Sequence, residues 1–194
     1  MLNLFLVVLI LGGVLLVVIL SYFIMVYNNL VTVKLNVTKA WANIDVLLKQ
    51  RHDELPKLIE VCKQYKQFEQ STLEKIVQAR NRVSEARSNQ DMAQLGAAEG
   101  ALRLGVGQLF AVAEAYPDLK TNQSFNALQT RITGLESDIA DRREYYNESV
   151  NINNVRVEQF PDLLIARTFN FKSLQLLEFD ESEKQDVNIG QLFG

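Results

Sequence analysis

From Leu4 to Val26, 23 consecutive positions carry no charge and one clearly polar side chain, Ser21. At about 1.5 Å rise per residue a helix of that length covers about 34 Å, against a hydrocarbon core of about 30 Å. The pattern predicts a single membrane-spanning helix. Its backbone groups are satisfied within the segment, and Gly12 and Gly13 weaken it only modestly. A cleavable signal peptide is the competing reading. It would call for a basic start and a small-x-small cleavage site, and neither Met1-Leu2-Asn3 nor Tyr22-Phe23-Ile24-Met25 supplies one. Residues 1–27 are therefore expected to remain as an anchor.

Beyond the anchor the apolar positions recur every three or four residues, the signature of amphipathic helices. Leu30, Val33, Val37, Trp41, Ile44 and Leu48 form the first stripe, which continues the membrane helix. Around Arg51-His52-Asp53 the pattern turns polar. Asp53 there has the chemistry of an N-cap, with Pro56 inside a first turn where its missing N–H costs little, and a reversal is expected. The alternative is a kinked continuous helix, because the apolar phase runs on through Leu55, Leu58, Cys62, Tyr65, Ile76 and Val83. Ser88-Asn89-Gln90 is a polar gap, and Asp91 with Gln94 resembles a capping box opening a third helix. That helix is lined by Leu95, Ala98, Leu102, Leu109, Val112 and Tyr116. Tyr116-Pro117-Asp118-Leu119 closes it, Thr121 or Asn122 caps the next, and Phe125, Leu128, Ile132, Leu135, Ile139 and Tyr146 define a fourth stripe. Short connections place consecutive helices antiparallel, so the expected fold is all-α, with an up-and-down four-helix bundle over residues 28–155.

Residues 156–179 are a different kind of segment. After Phe160-Pro161, the residues Leu163, Leu164, Ile165, Phe169, Phe171, Leu174, Leu176, Leu177 and Phe179 are more apolar than one short helix can hide. They need a cover: the bundle itself, the lipid headgroup region or a second copy. Residues 180–194 form an acidic tail. Glu178, Asp180, Glu181, Glu183 and Asp186 against Lys184 give a local charge of -4, which an acidic leaflet would repel, favouring protein over lipid as partner.

Charge sets the orientation and removes several functions. Nothing basic precedes the span, whereas Lys34, Lys39, Lys49 and Arg51 follow it, so the large C-terminal part is expected in the cytoplasm, anchored to the inner membrane. Three Asn-x-Ser/Thr triplets, at Asn36, Asn122 and Asn147, carry no weight on that reading. A net charge of -3 and a pI near 5.3 argue against nucleic acid, even with the short basic runs Arg80-Asn81-Arg82 and Arg142-Arg143. His52 has no second ligand at metal spacing, and the single Cys62 falls on an apolar stripe like a small core hydrophobe. The glycines of the third helix lack the strand and the Lys-Ser or Lys-Thr of a phosphate loop. No catalytic residue, cofactor or metal is expected. Two sets of side chains stand out instead. Asp45, Arg51, Asp53, Glu69, Arg80 and Arg142 have the chemistry for charge-assisted links that fix helix register. Gly96, Gly100, Gly105 and Gly107, each costing about 1 kcal/mol against Ala in a helix, call for a compensating close contact.

Several tightly worded segments also occur in a recognisable order. Tyr27-Asn28-Asn29-Leu30-Val31, Ala40-Trp41-Ala42-Asn43-Ile44-Asp45-Val46-Leu47-Leu48-Lys49, Arg51, Leu55-Pro56 and Glu69-Gln70-Ser71-Thr72-Leu73 come first. Ala113-Glu114-Ala115-Tyr116-Pro117-Asp118-Leu119-Lys120, Phe125, Leu128-Gln129, Tyr146-Asn147, Phe160-Pro161 and Phe169-Asn170-Phe171 follow. Together they resemble the LemA proteins over residues 22–172. His52, the Val61–Tyr65 run and the chain beyond Phe179 depart from the pattern. The resemblance implies a bacterial single-pass membrane protein with a cytoplasmic four-helix bundle, and assigns no activity by itself.

The expectation for function is a non-enzymatic, membrane-anchored helical scaffold that associates with itself at the bilayer surface and organises or remodels it. Confinement of all copies to one plane raises their effective concentration. The residues expected to carry self-association are the four glycines together with Phe160, Leu164, Phe169 and Phe171. The alternative is a signalling or membrane-protease-associated adaptor whose bundle binds another protein.

Overall fold

The computed structural model describes residues 1–65 and 69–178. Among them the regular structure is helical throughout: α1 (Leu2–Lys63), α2 (Gln70–Asn89), α3 (Met92–Ala113), α4 (Pro117–Lys120), α5 (Gln123–Glu158) and α6 (Asp162–Thr168). The acidic tail from residue 180 and Phe179 lie outside the described residues. The described residues divide into two compact units, one of Met1–Ala40 with Glu148–Leu174, the other of Trp41–Asn147 with residues 175–178.

In the first unit, α1 carries the apolar span. It is the one helix among the described residues long and apolar enough to cross a membrane, and its apolar stretch is not covered by protein. Leu11 is 63% exposed and Val18 58%. Fully burying such a side chain is worth about 1.5–3 kcal/mol, so a run of them left in water would be very costly, and lipid is the medium that removes the cost. This fits a single membrane crossing. Where the span ends, Val26 and Leu30 are buried with Val157 of α5 and Ile165 and Ala166 of α6, and Tyr27 and Phe171 pack against the cluster.

α6 begins after Pro161, as the sequence suggests, and ends at Thr168; two residues on, Asn170 at a φ of 57° lets the Phe171 N–H bond the Ala166 carbonyl at 2.9 Å. The chain is then extended, and α5 holds it through asparagine side chains. Asn154 donates to the Leu174 carbonyl at 2.9 Å and accepts from the Leu174 N–H at 2.8 Å, while Asn153 donates to the Lys172 carbonyl at 3.1 Å. An amide side chain presents one donor and one acceptor side by side, so it serves an extended backbone as a neighbouring strand would.

The second unit is built from the stripes read in the sequence. Ile44, Leu48, Leu55 and Leu58 of α1, Ile76 and Val83 of α2, Leu95, Leu102 and Leu109 of α3, Leu119 of α4, and Phe125, Ile132 and Ile139 of α5 are all buried. α2 closes on Gln90 at φ 53°, with the Asp91 N–H bonding the Ala86 carbonyl, and Asp91 then caps α3 by accepting from the Gln94 N–H at 3.0 Å. Asn122 caps α5 through the Phe125 N–H at 3.0 Å. Asn147 repeats the asparagine device, accepting from the Leu177 N–H at 2.8 Å and donating to its carbonyl at 3.0 Å.

The expected reversal at Arg51-His52-Asp53 is not found. α1 continues through Asp53 with Pro56 inside it, and the helix break comes after Lys63. A proline at 56 cannot donate to the carbonyl of His52 four residues earlier, a loss that costs about 3 kcal/mol or more in a helix interior. Here Arg80 of α2 takes the missing role, its Nε donating to the His52 carbonyl at 3.1 Å. The neighbouring helix thus supplies the donor that Pro56 lacks.

Candidate functional site

Three helices of the second unit place charges on their apolar stripes. Arg51 lies between Leu48 and Leu55 on α1, Glu99 between Leu95 and Leu102 on α3, and Glu136 between Ile132 and Ile139 on α5, so helical spacing turns all three side chains inward. They meet there. Arg51 Nη2 donates to both oxygens of Glu99 at 2.5 Å, and Arg51 Nη1 donates to Glu136 Oε1 at 2.7 Å. Arg51 is 1% exposed and Glu99 2%, while Glu136 keeps 19% and opens the cluster toward solvent.

Two carboxylates share one guanidinium, and the electrostatics follow from that excess. Burial pushes the Glu99 carboxyl above the usual range, the Arg51 charge and hydrogen bonds pull it back, Glu136 adds to the rise and Arg143 opposes it. Burial also works against the Arg51 charge, but the two carboxylates outweigh it and hold the guanidinium charged. Such a cluster fixes how three helices register, since slipping any one of them leaves a buried charge unmatched.

A second polar link lies beside it. Besides bonding the His52 carbonyl, Arg80 places Nη2 2.6 Å from His52 Nε2, which requires that ring nitrogen to be the unprotonated acceptor. Burial and the Arg80 charge lower the His52 pKa, Asp53 opposes them, and Arg87 adds to the lowering. Arg87 itself pairs with Asp45 at 2.7 Å. Among the expected polar links, then, Arg51, Arg80 and Asp45 bridge helices. Glu69 stays local, accepting from the Thr72 hydroxyl at 3.1 Å at the start of α2, and Asp53 and Arg142 are exposed. Glu99 and Glu136 were not anticipated. Their signal was present in the sequence: an acid at an apolar-stripe position, in phase with leucine or isoleucine on both sides.

Cys62 is fully buried, and burial pushes its thiol up to about 12, so it packs as a hydrophobe. No group of three or more His, Cys, Asp or Glu side chains that would suit a metal ion occurs among the described residues.

The glycines separate into two kinds. Gly96 and Gly105 are buried on the inner face of α3, and a Cβ at Gly105 would stand 3.3 Å from Ile76 Cγ1, so this glycine lets α2 approach. At Gly100 and Gly107 a Cβ would meet nothing within 4 Å. The aromatic candidates also divide. Phe171 packs on Tyr27 at 5.9 Å between ring centroids and lies under the Lys34 ammonium, Phe169 stacks edge-on to Tyr27 at 4.8 Å, and Phe160 and Leu164 are 78% and 58% exposed.

The LemA family profile matches residues 40–190, most of the chain and every residue of both polar links. The chain belongs to the LemA family. Protein LemA of Metamycoplasma hominis is 25% identical over 170 residues, covering 85% of this chain and 74% of that relative. Magnetosome protein MamQ 2 of Paramagnetospirillum magneticum is 27% identical over 96 residues, half of this chain and 35% of that protein. Magnetosome protein MamQ of Magnetospirillum gryphiswaldense is 28% identical over 92 residues, 47% of this chain and 33% of its own length. The match thus spans about a third of the magnetosome proteins' length. Within this LemA chain, Arg51, Glu99, Glu136, His52 and Arg80 all fall inside the family match.

Proposed function

We propose that the protein is a non-enzymatic, membrane-anchored helical scaffold that associates with itself at the membrane surface, its second unit an up-and-down four-helix bundle of α1, α2, α3 and α5. LemA membership and the apolar, uncovered start of α1 support the membrane attachment. The buried charges support a structural role for the polar interior, because Arg51, Glu99 and Glu136 are committed to one another.

One observation carries the self-association. The outward face of α3 has Ala93, Ala97, Ala101, Leu104, Gly107 and Ala111 exposed and Gly100 half-buried, with Leu104 at 66%. Positions 97, 100, 101, 104, 107, 108 and 111 fall within about a third of the helix circumference at 3.6 residues per turn, and Gln108 is the polar member. A helix apolar on both sides is expected to be buried on both sides, and within one chain α3 is buried on one. The open space at Gly100 and Gly107, seven residues apart with Leu104 between them, suits close approach of the same face of a second copy. Anchoring all copies in one plane favours that encounter. Assembly of this kind would organise the bilayer to which the copies are attached. The orientation that fits the flanking lysines places the second unit in the cytoplasm, at the inner membrane.

The experiment is mass by light scattering of the detergent-solubilised full chain over a wide concentration range, for wild type and Leu104→Glu. Concentration-dependent oligomers in wild type and monomers in the variant are expected. Monomers throughout in wild type would overturn the self-association, and recovery of one dominant foreign partner without self-crosslinks would favour an adaptor instead.

A further inference from the structure

The end of the apolar span is not bare. Phe23 belongs to the span, and its ring centroid lies 5.9 Å from that of Phe169, the residue that follows α6. Tyr27, one turn later, meets Phe169 at 4.8 Å, and Val157 near the end of α5 is buried with Val26. The α5–α6 corner of the first unit is therefore level with the last turn of the span. The corner is nevertheless open: Phe160 is 78% exposed, Leu164 58% and Phe169 47%, while Ile165 and Ala166 face inward.

The charges around it are arranged unequally. Lys34, Arg167 and Lys172 are exposed against the exposed Glu158, which accepts from the Ser173 hydroxyl at 3.3 Å, whereas Asp162 is buried against Arg156 at 2.9 Å. The free charge at the corner is thus mainly cationic, which suits anionic headgroups.

We infer that this corner is a second membrane contact: Phe160, Leu164 and Phe169 enter the headgroup and acyl boundary of the same bilayer that α1 crosses, with Lys34, Arg167 and Lys172 at the headgroups. The inference rests on reading Leu4–Val26 as a membrane span. It follows from continuity, because side chains level with Phe23 meet lipid before they can meet a soluble partner. Short amphipathic segments of this kind bury their apolar side about 5–10 Å into the boundary. The contact would hold α6 against the bilayer and make the first unit sensitive to lipid charge and packing.

Depth-resolved quenching tests it on the full chain. Trp41→Phe removes the only tryptophan, and Phe160→Trp or, in a second variant, Leu164→Trp introduces a reporter at an exposed position. Each protein is reconstituted into phosphatidylcholine–phosphatidylglycerol vesicles whose acyl chains are brominated near the headgroup end or near the bilayer centre. Vesicle flotation reports the anchor independently. Cofloating protein with emission quenched several-fold by shallow bromines, and less by deep ones, is the expected result. Cofloating protein with water-exposed, unquenched emission overturns the inference and leaves the anchor standing. Blue-shifted emission that no bromine quenches, and that reverts on dilution into excess lipid, assigns the corner to a second copy and also overturns it. Failure to cofloat removes the anchor and the inference together.

Discussion

Replacing Arg51 by methionine probes the buried charge cluster directly. The substitution keeps an apolar stem of similar reach and removes the one cation that both Glu99 and Glu136 bond. Glu136 can turn toward solvent, but Glu99, 2% exposed, cannot. Breaking a buried pair on one side costs about 3–5 kcal/mol, much of it the penalty of the charge left behind. At about 2–4 °C per kcal/mol for a chain of this size, the midpoint of thermal unfolding should fall by about 6–20 °C. The deficit should depend on pH with a defined sign. Without Arg51, burial holds the Glu99 carboxyl further above its ordinary value of 4.5, so between the unfolded and folded values the native state binds more protons and stability falls as pH rises. The loss should therefore be fully present at pH 8 and shrink as the pH falls toward the ordinary carboxylate range. Adding Glu99→Gln to Arg51→Met should recover a large part of it at pH 8. Circular-dichroism melts of the detergent-solubilised full chain measure all of this. A cost below about 1 kcal/mol, the level of an exposed ion pair, or one that does not change with pH, would refute the claim that Arg51 neutralises a buried carboxylate.

Four further outcomes follow from single sites. The His52 pKa lies below its ordinary 6.5, so the folded state resists protonation and the stability it contributes is lost as the pH falls below 6.5; the protection of amides near Pro56, taken against the intrinsic exchange rate at each pH, should fall on acidification in wild type and already be low at neutral pH in Arg80→Met. Gly134 meets nothing within 4 Å and is exposed on α5, so Gly134→Ala should stabilise by about 1 kcal/mol in melts. Gly105→Ala, pressed against Ile76, should gain distinctly less. The Cys62 thiol, pushed up to about 12, should stay unmodified by iodoacetamide at pH 8 in the native protein and react once denatured, as read by mass spectrometry.

Much of this architecture is written in local chemistry. The apolar span, the break at Gln90, and the Asp91 and Asn122 caps each depend on residues a few positions apart, and each is found where the pattern places it. What escaped the sequence depends on distant partners. A proline a few residues after a polar run reads as a helix start, and only Arg80, 28 positions from His52, makes it a helix interior. Arg51 was legible as a register residue, yet Glu99 and Glu136 were not, because an acid on an apolar stripe looks like an imperfection until a cation is seen to face it. The asparagines at 147, 153 and 154 look like solvated helix positions and instead bond extended, non-helical backbone. The glycines were read as one group, although packing at Ile76 explains Gly105 and leaves Gly100 and Gly107 facing outward.

The central claim is that copies of this anchored protein meet through the outward face of α3. Disulfide crosslinking of full-length Cys62→Ala with Leu104→Cys in intact membranes measures that contact most directly. The account predicts rapid formation of a covalent homodimer on mild oxidation, abolished by Gly100→Arg in the same chain. A thiol at position 104 that labels completely with maleimide, yet yields only monomer, would contradict it.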